Sequence, residues 1–179
     1  MKQGYIHIYT GNGKGKTTAG VGLGVRARGR GLRVMVVTFH KNRQPGAGEY
    51  RPLRQVGIDV KHLACRHPAM PRAGNARTQA QELRRECASA VKFIRGVFTK
   101  NQYDVLILDE ILVSVRDGYL AEDELLSLVR DKPLALEMVL TGRGATRAVI
   151  KQADVVTEMR EVKHPYQKKG MKARRGIEY

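Results

Sequence analysis

The run Gly11-Asn12-Gly13-Lys14-Gly15-Lys16-Thr17-Thr18 limits this chain more than any other part of it. An apolar stretch, Tyr5-Ile6-His7-Ile8-Tyr9, leads into the run, and a small-residue segment able to continue as a helix follows it. Strand, glycine loop and helix in that order make a phosphate-binding loop. Glycine tolerates backbone angles that a Cβ forbids, so successive amides can turn inward around phosphate oxygens. The helix predicted from Thr17 onward adds the positive end of its dipole. Lys16 supplies a point charge and Thr17 a hydroxyl for Mg²⁺. Gly11, Asn12, Gly13, Lys14, Gly15, Lys16, Thr17 and Thr18 are therefore the expected triphosphate cradle. The spacing departs from the usual pattern at one place. G-x-x-x-x-G-K-[ST] asks for a glycine where the chain has Thr10, and Gly11 comes one position late.

A chain of 179 residues is expected to form one domain with a substantial core. Residues 1–160 read as the nucleotide-binding domain and 161–179 as a basic tail packing near the site. No apolar run approaches membrane-spanning length, and Met1-Lys2-Gln3-Gly4 lacks the apolar core of a signal peptide. Cys65 and Cys87 form no metal-type pairing, so two reduced thiols in a cytoplasmic protein are expected. Lys and Arg number 33 against 17 Asp and Glu, a formal net charge of +16. Such a surface attracts polyanions: nucleic acid, acidic proteins or polyphosphorylated small molecules.

Short apolar runs alternate with helical patterns along the chain. Strands are predicted at residues 33–39, 58–63, 104–108, 136–141 and 154–159, in addition to the one before the glycine loop. The second of these alternates, which gives it one wet face. Helices are predicted at 75–97, 121–129 and 146–152, the first with Leu83, Cys87, Ala90, Val91 and Ile94 near one face. The alternation implies a three-layer α/β fold with a mainly parallel sheet flanked by helices. Residues 41–49 and 66–75, rich in Gly, Pro, Arg and His, read as loops, where function concentrates on such folds.

Leu106-Ile107-Leu108-Asp109-Glu110 puts two carboxylates at the carboxyl end of a buried strand, the edge where ligands bind in open α/β sheets. These carboxylates are expected beside the strand that feeds the phosphate loop, where Asp109 or Glu110 can hold Mg²⁺ directly or through water. Thr141-Gly142-Arg143-Gly144 ends the next strand on the same edge. Arg143 there either clamps phosphate or locks Glu110 in a bidentate pair.

The loop from Tyr9 to Thr18, with its late first glycine, resembles that of the ATP:corrinoid adenosyltransferases of the cobalamin-biosynthesis, phosphate-loop type. Gly48-Glu49, Leu108-Asp109-Glu110 and Thr141-Gly142-Arg143-Gly144 follow in that family's order. So do Val162-Lys163-His164, Gly170, Lys172-Ala173 and Gly176-Ile177-Glu178-Tyr179, a terminus that ordinary ATPases lack. The resemblance spans nearly the whole chain and implies a RecA-like fold and a homodimer. It also implies transfer of the 5′-deoxyadenosyl group of ATP to reduced corrinoid cobalt, with release of triphosphate. Lys16, Glu110 and Arg143 would be catalytic, with Thr17 and Glu110 on Mg²⁺ and Asp109 beside them. An acidic, flavodoxin-like electron donor is the partner that the family implies.

One stretch departs from the family. Similar proteins carry an aromatic pair, often Phe and Trp, in the loop after the third strand. Here that loop reads Ala64-Cys65-Arg66-His67-Pro68-Ala69-Met70-Pro71, and the chain has no Trp. Only His67 or Met70 is left to wedge against a corrinoid there. Two other readings stay open from sequence: an altered paralogue that binds ATP or corrinoid, and a phosphate-loop ATPase acting with nucleic acid. The second lacks any aromatic stacking set, so nucleic acid is not the expected partner.

Overall fold

Continuous apolar runs become strands buried on both faces. In the computed structural model, which describes residues 2–41, 48–64, 76–163 and 174–177, β2 (Val34–Thr38) and β4 (Val105–Asp109) are buried at every position. They lie inside a six-stranded parallel sheet with β1 (Ile6–Thr10), β3 (Asp59–His62), β5 (Glu137–Thr141) and β6 (Val155–Glu158), in the order β3-β2-β4-β5-β1-β6. The expected α/β architecture with a helix-flanked parallel sheet is present. β3 alternates exposed and half-buried residues as its sequence predicts, and β6, at the opposite edge, is exposed throughout.

Alternate residues of each strand feed two separate cores. Val34, Val36, Val105 and Ile107 face α1 (Lys16–Gly29) and α2 (Tyr50–Gln55), with Val21, Leu23 and Leu53 closing that layer. Met35, Val37, Leu106 and Leu108 face α3 (Ala76–Lys100), α4 (Ile111–Arg116), α5 (Glu122–Arg130) and α6 (Arg147–Gln152). The predicted helical face holds: Leu83, Cys87, Ala90, Val91 and Ile94 are all buried. Leu83, Val91 and Ile94 each stabilise the fold by about 1.5–3 kcal/mol relative to exposure, which helps tie that layer to the sheet. Cys87 is a free thiol, and burial pushes its pKa up to about 11. Cys65 lies outside the described residues. Among those described, no helix is long and apolar enough to cross a membrane.

The strand order corrects one expectation. β5 lies between β1 and β4, so Asp109 and Glu110 sit two strands from the phosphate-loop strand rather than beside it. Alternation of elements fixes the layers but not which crossover passes over which strand, and that is why sequence missed the insertion. Close helix packing makes up the distance. A Cβ on Gly24 would meet Ile107 Cδ1 at 2.8 Å, so α1 lies close on β4 here and a larger residue would make the end of Ile107 move. That approach carries the first turn of α1 towards the end of β4.

Candidate functional site

The late glycine has a structural cause. Thr10 is still part of β1, paired in register with Glu158 of β6, so the chain cannot turn until Gly11. Gly11 (φ 95°) and Gly15 (φ 120°) then take the left-handed angles that the loop needs. The Gly13 amide donates to the Met159 carbonyl at 2.7 Å, which seats the loop against the chain leaving β6. Lys16, only 7% exposed, donates to the carbonyls of Gly11 (2.8 Å) and Gly13 (2.7 Å). Burial, then Arg143, lowers the Lys16 pKa, against the opposing pull of Glu110. Gly15 caps α1 without a side-chain hydrogen bond, leaving the helix start to amides and dipole. Asn12, Lys14 and Thr18 are exposed around this cradle.

Asp109 is the hub of the opposite wall. It is 1% exposed, and its Oδ1 accepts from Thr17 (2.9 Å) and from Thr141 (2.7 Å). The Thr141 hydroxyl in turn accepts from the Glu110 amide at 2.9 Å. The intervening strand therefore fixes the acidic pair: the last residue of β5 bonds to both Asp109 and Glu110, while Thr17 ties the phosphate-loop helix to Asp109 directly. Glu110 leaves β4 at φ 66°, ψ 15°, a left-handed conformation that costs a side chain about 1–2 kcal/mol. It occupies the cap position of α4 but makes no side-chain cap bond. Burial, then Asp109, raises its pKa, while Lys41, Lys16 and Arg143 pull the other way. A strained acid kept among three cations fits a binding role better than a capping one.

Of the two options for Arg143, the bidentate pair with Glu110 is not formed among the described residues. Its Nη2 reaches the Asn12 carbonyl at 3.4 Å, so it braces the phosphate loop from outside. Lys14 Nζ donates to the Ile177 carbonyl at 3.2 Å, which brings residues 174–177 against the loop. The rest of the tail from residue 164, most of the 41–49 loop, and the 66–75 loop with His67 and Met70 lie outside the described residues.

Sequence reasoning passed over one residue, Lys41. Its Nζ lies 2.5 Å from Asp109 Oδ2, 3.2 Å from Thr17 Oγ1 and 3.8 Å from Glu49 Oε1. Burial lowers its pKa, but Asp109, Tyr50 and Glu49 together hold it above the ordinary lysine value. The signal was available: Lys41 follows β2 on the same carboxyl edge that carries every other site residue. Thr141 was singled out only as a strand end, and its hydroxyl does the bridging.

Among the described residues, no group of three or more His, Cys, Asp and Glu side chains forms a metal cage. The oxygen donors Thr17, Asp109 and Glu110 suit Mg²⁺, which nucleotide sites hold with one or two carboxylates and the substrate's phosphates. Residues 2–179 match the model of the family described as ATP:corrinoid adenosyltransferase BtuR/CobO/CobP. The chain is 33% identical over 178 residues to a corrinoid adenosyltransferase of Escherichia coli strain K12, covering 99% of this chain and 87% of that one. Over 178 residues it is 34% identical to corrinoid adenosyltransferase CobA of Salmonella typhimurium strain LT2, with the same 99% and 87% coverage. A corrinoid adenosyltransferase of Pseudomonas aeruginosa is 35% identical over 104 residues, 56% of this chain and 51% of that one.

Proposed function

The chain belongs to the ATP:corrinoid adenosyltransferase family, and from that premise we propose how its own residues divide the work. The enzyme transfers the adenosyl group of ATP to a corrinoid. In the proposed step, reduced cobalt attacks C5′ of the ribose, the C5′–O bond breaks, and its electron pair leaves with triphosphate. Charge then grows on the α-phosphate oxygen, and stabilisation has to be ready there rather than at a transferring γ-phosphoryl. The observation that carries this reading is the convergence of Lys16, Thr17, Asp109 and Glu110 at one sheet edge, where Thr17 bonds to Asp109 and the Thr141 hydroxyl joins Asp109 to Glu110.

Lys16, held over the loop by the Gly11 and Gly13 carbonyls, supplies the charge for the leaving group. The loop amides and the start of α1 orient the phosphates. Thr17 donates a hydrogen bond to Asp109, so its oxygen lone pairs, one of them accepting from Lys41, point outward to where a metal would sit. Thr17 and Glu110 would hold Mg²⁺, with Asp109 behind them, and the ion would neutralise triphosphate charge. Arg143 keeps the loop in shape through Asn12. The step needs no general base, in keeping with a site that pairs cations with acids rather than an acid with a base. The family resemblance supports a homodimer and a cytoplasmic setting, and the net charge of +16 suits an acidic flavodoxin-like electron donor.

Glu110→Gln tests the metal assignment. The variant is expected to raise the Mg²⁺ concentration for half-maximal activity while leaving the thermal midpoint near that of the parent. If Asp109→Asn produces that effect and Glu110→Gln does not, the two carboxylates have exchanged roles.

The loop after β3 leads to a second expectation. Residues 66–71 contain no large aromatic ring, and displacing a lower axial ligand takes apolar bulk, because an open polar gap admits water instead. The enzyme should adenosylate pre-reduced Co(I) corrinoid well but promote reduction of the Co(II) form poorly. Electron paramagnetic resonance of Co(II) cobalamin with protein and Mg·ATP reads this directly. A strong four-coordinate signal would defeat the expectation.

A further inference from the structure

Resting on the assignment of Thr17 and Asp109 to the metal side of the site, we propose that Lys41 is a built-in counter-cation that Mg²⁺ must displace. The ammonium is surrounded by oxygens from three elements. Asp109 Oδ2 of β4 lies at 2.5 Å, Thr17 Oγ1 of α1 at 3.2 Å, and Glu49 Oε1, which precedes α2, at 3.8 Å. Two of these three belong to the residues assigned to the metal side.

The placement is built into the backbone. His40, just before Lys41, turns the chain with φ 55°, and its amide donates to the Ala64 carbonyl at 2.7 Å. Its buried ring lies with Nε2 2.7 Å from the Ser114 hydroxyl, which ties the end of β2 to α4. Since α4 begins directly after Glu110, one buried bond sets Lys41 and the acid pair in mutual register. An Asp109 carboxylate 1% exposed needs a positive partner, and Lys41 provides it.

Thr17 donates its proton to Asp109 Oδ1, so Lys41 approaches the outward side of that hydroxyl, where a metal would approach too. An ammonium and a divalent cation cannot share those oxygens, because like charges a few ångströms apart in a half-buried site repel strongly. The displaced ammonium has somewhere to go. Glu49 is already in reach, and the Tyr50 ring lies 5.9 Å from Nζ. The Tyr50 hydroxyl is buried and, among the described residues, has no hydrogen-bond partner. Metal arrival thereby frees a positive charge beside the phosphate loop.

The test uses the full chain with saturating ATP and Mn²⁺ as the probe, free Mn²⁺ being counted by electron paramagnetic resonance. Lys41→Met should bind Mn²⁺ about tenfold more tightly than the parent, the size of one charged hydrogen bond. Its thermal midpoint without metal should fall, and the gain on adding Mg·ATP should exceed the parent's. Lys41→Gln carries the same comparison if Lys41→Met does not fold. Unchanged or weaker Mn²⁺ binding overturns the proposal. So does an equal gain in Arg116→Gln, which removes a cation within electrostatic reach of Glu110 that is paired with Asp117 and serves as the control for the through-space field. Parent Mn²⁺ binding unaffected by both Glu110→Gln and Asp109→Asn would instead overturn the metal assignment itself.

Discussion

Lys16→Ala is expected to lower ATP affinity by about ten- to a hundredfold and to take turnover down with it. A charged hydrogen bond is worth about 1.5–3 kcal/mol net, and the conversion to affinity follows from about 1.4 kcal/mol per factor of ten. The loss in turnover should be the larger of the two, because triphosphate carries more charge on its departing oxygen than ATP does before the bond breaks. The variant should fold. Among the described residues, Lys16 Nζ bonds to two loop carbonyls, Gly11 and Gly13, so its loss breaks no hydrogen bond of the sheet or of a helix. Calorimetric titration with ATP checks the first part, and unchanged affinity would sink the role given to Lys16.

Asp109→Ala should act on the fold as much as on the reaction. Three side chains converge on that carboxylate, Thr17, Thr141 and Lys41, and the substitution strands all of them. Removing one partner of a buried ion pair costs about 3–5 kcal/mol. The lower figure applies, since the Lys41 side chain keeps 22% of its exposure and water can reach it. For a chain of this size, about 3 kcal/mol corresponds to a drop in thermal midpoint of roughly 6–12 °C. Differential scanning calorimetry of Asp109→Ala against the parent measures it. A drop of no more than a degree or two would mean that the cluster contributes nothing to stability.

Much of this architecture can be read directly from the chain. The buried runs around Val36 and Ile107, the glycine loop and the acid pair at the end of β4 are local patterns, and local patterns survive folding. Segment ends moved by a few residues, as with α3, which reaches Lys100 rather than Val97. Short α2 and α4 carried too few turns to show a period. What sequence could not supply was relative position. Nothing local tells β5 to enter between β1 and β4, so the Thr141 bridge stays invisible until the sheet is assembled. Lys41 was legible only in part. The predicted end of β2 put it on the ligand edge, but only the pairing of β2 with β4 sets it over Asp109.

The left-handed backbone at Glu110 sets two kinds of selection against each other. Glycine, and to a lesser degree asparagine, occupies that conformation at little cost, so either replacement would relieve strain where glutamate sustains it. Relief would come with loss of the carboxylate that faces Lys16 and Arg143. A library sorted on heat resistance alone would therefore drift away from glutamate at this position and discard the enzyme while improving the protein. Only a screen that scores product can keep Glu110, and the strain it tolerates measures what the chemistry asks of the fold.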